Sequence, residues 1–442
     1  MFESLTRTLE DNPVQFYAGM ATADVDGDGQ NECIVAAHGG RNLVLKWGGD
    51  AFYDVGLAPL TDDRSPSTGV CAADADGDGR EEIYLASGEA SPDRLLAWRG
   101  GWVDLFAAHR ERLHSSQSVL AMDRFGMGRY GFLVAHEGGA FRYWELGAND
   151  RLEDRAALLG LARIAGGRSL IAAPLLEQGC HIYAGNEGIT NMLLGPIGAS
   201  RFEERAAIHG LADAKGMSRG LAVIDMNFDG RFELLCANRV GPHRLFVRGS
   251  QNQFVDAELE SWSAASNARS IVVADFDNDG FEEIFVHNHG EANRLLAWRN
   301  QRWTSINCGS AEEPQSYGVG TLVGDWNGDG MLEMLLSHGE TAPQSLTLHS
   351  APSNRNHWIR IAPLTASGAP ARGALVRLID PENNQMRLID CGSGYLCQME
   401  PVAHFGLGAR STVTKIEVQW PDGSKAELHS PRVDQTHRVA YP

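Results

Sequence analysis

The nonapeptide DVDGDGQNE, residues 24–32, sets Asp24, Asp26, Asp28 and Glu32 at positions 1, 3, 5 and 9 of a loop that Gly29 allows to turn sharply. Four further stretches share this pattern: DADGDGREE from Asp74, DMNFDGRFE from Asp225, DFDNDGFEE from Asp275 and DWNGDGMLE from Asp325. Successive starts lie 50 residues apart, except for 151 between Asp74 and Asp225, which is three periods with two loops missing. A fixed period of this size marks a propeller or another repeat array, so the gap is expected to hold two decayed units. Both are visible. Around Asp123, VLAMDRFGMGRYGFLVAH keeps the apolar run and the glycines but only the first acid, and SLIAAPLLEQGCHIYAG around Pro174 follows the same outline.

Seven units follow, and a second series agrees. A bulky residue recurs about 22 positions before each start, at Phe2, Phe52, Trp102, Leu152, Phe202, Phe254 and Trp303. Each opens a strand-like stretch, and one more apolar run, such as LVLKW or RLFVR, lies between loop and anchor. Four strands per unit predict an all-β, seven-bladed β-propeller. Phe2 has no blade before it, and the last unit has no anchor after SLTLHS, so the N-terminal strand is expected to close the ring.

Carboxylate oxygens at positions 1, 3 and 5, with a glutamate at position 9, suit calcium better than magnesium, which demands strict octahedral geometry and keeps its waters. The expected ligands are Asp24, Asp26, Asp28, Gln30 and Glu32; Asp74, Asp76, Asp78, Arg80 and Glu82; Asp225, Asn227, Asp229, Arg231 and Glu233; Asp275, Asp277, Asp279, Phe281 and Glu283; and Asp325, Asn327, Asp329, Met331 and Glu333. Position 7 varies freely because it offers only its backbone carbonyl. An EF-hand is excluded, since its bidentate glutamate at position 12 is replaced here by Val35, Leu85, Cys236, Val286 and Leu336, and the following segments read as strands. About five calcium ions are implied. The expected ligand positions hold eighteen carboxylates against a formal net charge of −19, so the acidity is local to the loops.

The loops resemble the FG-GAP, or VCBS, repeats of integrin-α-type propellers, and EANRLLAWRN and SPDRLLAWRG resemble the Asn-Arg-Leu strand of the cartilage acidic protein family. NHWIRI, GALVRLID, QMRLIDCGSGYLCQ, HFGLG and VTKIEVQWPDG resemble, in that order, the ASPIC/UnbV domain that ends such proteins. The literal Phe-Gly/Gly-Ala-Pro flanks are absent. From about Asn354 the chain alternates apolar and polar residues without a helical period, which predicts a small β-sandwich. The expected domains are residues 1–352 and 353–442. Trp358, Tyr395 and Trp420 are expected in the core rather than on a ligand platform.

No run approaches a membrane span, and MFESLTRTLEDNP lacks the basic and apolar regions of a signal peptide. As numbered the chain reads as cytoplasmic, whereas the resemblance and the loops suggest a secreted or periplasmic protein. Seven cysteines show no zinc spacing and are read as mostly reduced, Cys391 and Cys397 included. With four lysines and a net charge of −19, nucleic acid is excluded as a partner. The GxGxxG string at Gly126–Gly131 is a decayed loop with no helix behind it, so it has no phosphate-binding mechanism.

The remaining candidates lie at the opposite mouth. Turns after the second strands carry His38, His136, His287, His289 and His338, while Arg168, Arg219 and Arg269 each precede a loop start by six residues. Three guanidiniums from adjacent blades would suit a carboxylate or phosphate, unless these polar groups serve only the turns. The sequence is read as a calcium-binding platform for a protein partner or a small anionic ligand. The alternative is a calcium-dependent enzyme of a natural-product pathway, with its site at the mouth or the domain interface.

Overall fold

The computed structural model describes residues 1–442 except 62–65, 90, 109–114, 148–150, 177–178, 199–200, 381–383 and 393. Blade one shows how each unit is built, from strands Tyr17–Ala23, Glu32–Ala37, Leu43–Trp47 and Phe52–Asp54, hydrogen-bonded in that order. The first two strands are buried along their whole length, which is why they read as continuous small and apolar runs. The fourth alternates because one of its faces meets water. Six blades repeat this order, and the seventh takes its outer strand from the N-terminus.

That closure pairs Glu3 with Ser350 and Ser4 with His349, so the strand is short. Its hold comes from Phe2, whose ring sits edge-on to Phe276 at 4.9 Å and to Phe285 at 6.1 Å. The ring therefore closes through an aromatic lock as well as through a two-residue ladder.

The C-terminal region forms two sheets. His357–Pro363 lies between Ala403–Gly408 and Thr436–Val439, and Leu375–Ile379 pairs with Gln385–Leu388 and Lys415–Gln419, the latter continuing to Lys425–His429. Ile359, Ile361, Val376, Leu378, Phe405 and Val418 share one core between them. Trp420 joins that core and donates to the Leu364 carbonyl at 2.9 Å.

Residues 390–392 and 394–399 leave this region and pack against the inner strands at the propeller axis. Cys391 O accepts from Ala121 N at 2.9 Å, Gly394 exchanges bonds with Leu221 and Ser169, and Gln398 bonds both backbone groups of Ala72. Small residues recur five positions before each loop start, at Gly19, Gly69, Ser118, Ser169, Gly220, Ser270 and Gly320, and Gly19 and Gly320 face this plug. A Cβ on Gly19 would sit 2.2 Å from Leu396 O, and one on Gly320 2.6 Å from Cys397 Sγ. All seven cysteines, including Cys391 and Cys397, are free thiols.

Acidic loops, the interface they meet and the cavity beside it

In five blades the loop folds around its own carboxylates. Asp24 accepts the N–H groups of Gly27 and Gly29 at 2.6 and 2.8 Å, and Asp28 accepts that of Gln30 at 2.9 Å. The position-9 glutamate turns back to the N–H of position 2 in every case: Val25 to Glu32, Ala75 to Glu82, Met226 to Glu233, Phe276 to Glu283 and Trp326 to Glu333, at 2.7–3.0 Å. One carboxylate oxygen from each of Asp24, Asp26 and Glu32 lies within 4.8 Å of the others, and the trios Asp74/Asp76/Asp78 and Asp275/Asp277/Asp279 do the same. These clusters are consistent with metal sites and resemble calcium sites.

The donor set also calls for positive charge. Burial first, and then neighbouring aspartates, push Glu32 and Glu233 up to about 7 and Glu82 to about 8. In three loops a basic side chain from the third strand stands where a cation would: Lys46 Nζ is 2.7 Å from Asp28 and 3.1 Å from Glu32, Arg99 contacts Asp76, and Arg299 is 2.9 Å from Asp279. An ammonium or guanidinium thus occupies a position that hard oxygen ligands would offer to calcium.

Sequence reasoning did not foresee that the C-terminal region sits directly on these loops. Arg438 donates to Gly29 O at 2.6 Å, Ser367 to Asp74 at 2.8 Å, Asn354 to Asp277 O at 2.8 Å and Arg360 to Asp325 at 3.2 Å. The fully buried Arg372 meets Glu81 at 2.6 Å and Thr22 O at 3.0 Å. Loop order and domain docking are therefore one problem.

The loops of blades three and four behave differently. Asp123 still accepts from Met127 N and Gly128 N at 3.1 and 2.7 Å, so the GxGxxG string is a turn of the repeat, as its setting between two strands implied. Their side of the interface holds a cavity of about 900 Å³ against Trp420 and Pro421, larger than the one of about 540 Å³ beside the loops of blades one, two and seven. Among the described residues seven arginines and one carboxylate, that of Asp123, line the larger cavity; Arg124, Arg205, Arg231, Arg372 and Arg377 also pair with Glu145, Glu203, Asp229, Glu81 and Glu417. Arg201, Arg205, Arg231 and Arg248 belong to the propeller, and Phe125, Leu176, Phe202 and Phe232 supply apolar wall. His181 lines it too, 2% exposed. Burial pushes its imidazole down to about 4, which keeps the ring neutral at pH 7.

At the opposite mouth the expected guanidiniums do converge, but on glutamates of this chain. Arg168 and Arg219 reach Glu187 at 2.9 and 3.0 Å, and Arg269 reaches Glu340 at 2.6 Å. Arg219 also donates to Tyr395 Oη at 2.7 Å, so it holds the tip of the plug. The histidines do not form one site. His38 is 3.8 Å from Glu89, His136 Nδ1 donates to Ala140 O, His289 bridges Gly318 O and Thr341, and His287 and His338 lie together between blades six and seven. The aromatic residues are likewise dispersed, with Trp358 stacked on His404 and Tyr395 in the plug. Glu187 and Glu340 could have been anticipated only by asking what neutralises three inward arginines.

Comparison with known proteins agrees with this architecture. Residues 24–85 and 225–286 match the FG-GAP-like repeat, and residues 364–442 match the ASPIC and UnbV family. The fold, and the fold alone, is shared with the BP39L lectin of Burkholderia pseudomallei, at 12% identity and a TM-score of 0.52 over 77% of this chain and 99% of that one. No helix among the described residues is long and apolar enough to cross a membrane. The chain is 36% identical to cartilage acidic protein 1 of Xenopus tropicalis, covering 100% of this chain and 77% of that protein. It is 35% identical to the Homo sapiens protein of the same name, covering 100% of this chain and 75% of that one. With full-length similarity at this level, the chain belongs to the cartilage acidic protein 1 family.

Proposed function

We propose that this protein is a calcium-dependent binding platform, with residues 1–352 and 353–442 as its two units and a small amphipathic anion as its ligand. The observation that carries the reading is the asymmetry of one face. Acidic loops dock the C-terminal region on most of the ring, while the two decayed loops border an arginine-lined cavity of about 900 Å³. Calcium at the five loops would neutralise their carboxylates and fix the cavity's far wall. The guanidiniums of Arg201 and Arg248 suit a carboxylate, sulfonate or phosphate head, and Phe125 and Leu176 suit an apolar body.

In this reading Arg168, Arg219 and Arg269 stabilise the mouth and the plug, since Glu187 and Glu340 already engage them. Binding of a fluorescent aryl sulfonate to the calcium-loaded protein tests the cavity. Arg201→Ser with Arg248→Ser should weaken binding at least about tenfold, the loss of one charge-assisted contact, and leave the melting temperature unchanged. Equal affinity in the double variant would remove the cavity from consideration.

A second reading, acid–base catalysis in the same cavity, is favoured by His181, a neutral imidazole beside that anion-binding wall. It requires that His181→Gln abolish turnover of a bound compound while leaving its binding intact.

A further inference from the structure

Between blades six and seven, at the end away from the acidic loops, four side chains meet that the platform does not use. His287 and His338 close the second strands of their blades, Glu283–Asn288 and Glu333–His338. Glu313 comes from the connection between the blades, with a left-handed φ of 39°, and His349 from the third strand of blade seven. His338 Nε2 is 2.9 Å from Glu313 Oε2, and His349 Nε2 is 2.9 Å from Glu313 Oε1. The rings of His287 and His338 stand perpendicular with centroids 5.5 Å apart.

The nitrogens are sorted by the backbone. His287 Nδ1 faces Gly320 O at 3.1 Å and His338 Nδ1 faces Ser345 O at 2.8 Å. A carbonyl only accepts, so each Nδ1 carries the hydrogen; His287 Nε2 then presents a lone pair, while His338 Nε2 donates to the Glu313 carboxylate and would give up that proton to an incoming metal ion. This is the arrangement in which imidazoles are held for a metal, with the far nitrogen fixed by an outer hydrogen bond. His287 Nε2 is buried and has no hydrogen-bond partner among the described residues. The three histidines are 0–2% exposed.

We propose that His287, His338 and Glu313 form a binding site for one transition-metal ion of the zinc type, with His349 orienting the Glu313 carboxylate. Imidazole nitrogen with a single carboxylate is a borderline donor set, unlike the all-oxygen calcium loops, so the two kinds of site select different ions. Their ligand atoms lie within 4.8 Å of one another. Bonds of about 2.0–2.1 Å in a tetrahedron put ligand atoms roughly 3.3 Å apart, so the site closes by no more than about 1.5 Å, within reach of side-chain rotation.

The test uses the full chain without a polyhistidine tag, saturated with calcium, dialysed against zinc and analysed for both metals. One equivalent of zinc that excess calcium does not displace is expected, and cobalt in its place should give the visible bands of a four-coordinate nitrogen–oxygen site. His287→Ala should abolish stoichiometric zinc binding with calcium content unchanged, which also shows that the propeller has folded. His349→Gln should weaken zinc about 10–100-fold, as for loss of an outer-shell partner. Sub-stoichiometric zinc in the wild type, or one equivalent retained by both His287→Ala and His338→Ala, would overturn the proposal. A hydrogen-bonded His–Glu cluster without metal gives the first of these results.

Discussion

At one register position, opposite the last residue of the inner strand, the blades make three different choices. Blades one, two, five, six and seven bury a glutamate there: Ala23 faces Glu32, Ala73 faces Glu82, Ile224 faces Glu233, Ala274 faces Glu283 and Gly324 faces Glu333. Blade three places Gly131 opposite Met122, and blade four places His181 opposite Ala173. Burial disfavours charge of either sign, so it raises the glutamates and lowers the histidine. The five glutamate blades need a cation to be content with their carboxylates. Blades three and four do not. Tyr143 Oη takes the space at Gly131, where a Cβ would stand 2.4 Å from it, and His181 stays neutral. Among the described residues, blades three and four thus lack the carboxylate cluster that a cation would neutralise, and their surface is available for something else.

The largest effect that separates the two sets is calcium removal. With free calcium at about ten times the dissociation constant, each occupied site adds roughly 1.4 kcal/mol, or about 7 kcal/mol over five independent sites. Urea unfolding in calcium and in chelator should differ on that scale, with calorimetry counting five equivalents. Superimposable curves would mean that Lys46, Arg99 and Arg299 are the native counter-ions and the loops bind no metal.

Next in size is the anchor on the acidic side. Arg372→Met leaves Glu81 buried and unpaired, which costs about 3–5 kcal/mol. On the cavity side Arg201→Ser, at an exposed position, should stay within about 0.5 kcal/mol. Comparable losses from both would erase the distinction between the faces.

The sign of the pH dependence sharpens it further. His181 is held at about 4 in the folded protein, below its ordinary 6.5, so the unfolded chain takes the proton first as the pH falls. The stability it contributes is complete above 6.5 and is lost between 6.5 and about 4, amounting to about 2 kcal/mol at pH 5. In the calcium-free protein the glutamates act in the opposite sense, because carboxyls raised to about 7–8 hold protons more tightly when folded, and stability falls as pH rises from 4.5 to 8. His181→Gln should therefore flatten the acid limb alone. An unchanged acid limb would show that the imidazole is solvated.

Much of this was legible in the chain. The 50-residue period, the decayed units at Asp123 and Pro174, and the unpaired anchor at Phe2 led to seven blades and their closure, because each is a local pattern repeated in register. The plug was not read, although part of its signal was present: a glycine or serine recurs five residues before every loop start, and Gly19 and Gly320 make room for the plug as Gly69 and Gly220 do for the next blade. Arg372 and Glu81 looked like ordinary charges, since nothing local joins residues 291 apart. The cavity escaped for the same reason, as it exists only between two units.

The smallest expected effect tests whether the loss in blade three can be reversed. Its turn retains the backbone of the intact loops: Asp123 accepts from Met127 N and Gly128 N as Asp225 accepts from Asp229 N and Gly230 N, at 2.7–3.1 Å throughout. Phe125 and Met127 occupy positions 3 and 5 and are 57% and 71% exposed, so aspartates there displace chiefly the stacking of Arg124 on the Phe125 ring. Phe125→Asp with Met127→Asp should add one weak calcium equivalent, below about 1.4 kcal/mol at the concentration that saturates the others. It should remain weak because Tyr143 blocks a glutamate at Gly131 and Arg124, bonded to Glu145, keeps a positive charge nearby. A sixth site as tight as the native five would show that the position-9 glutamate serves the turn rather than the ion. No gain at all would place the selectivity in that buried carboxylate.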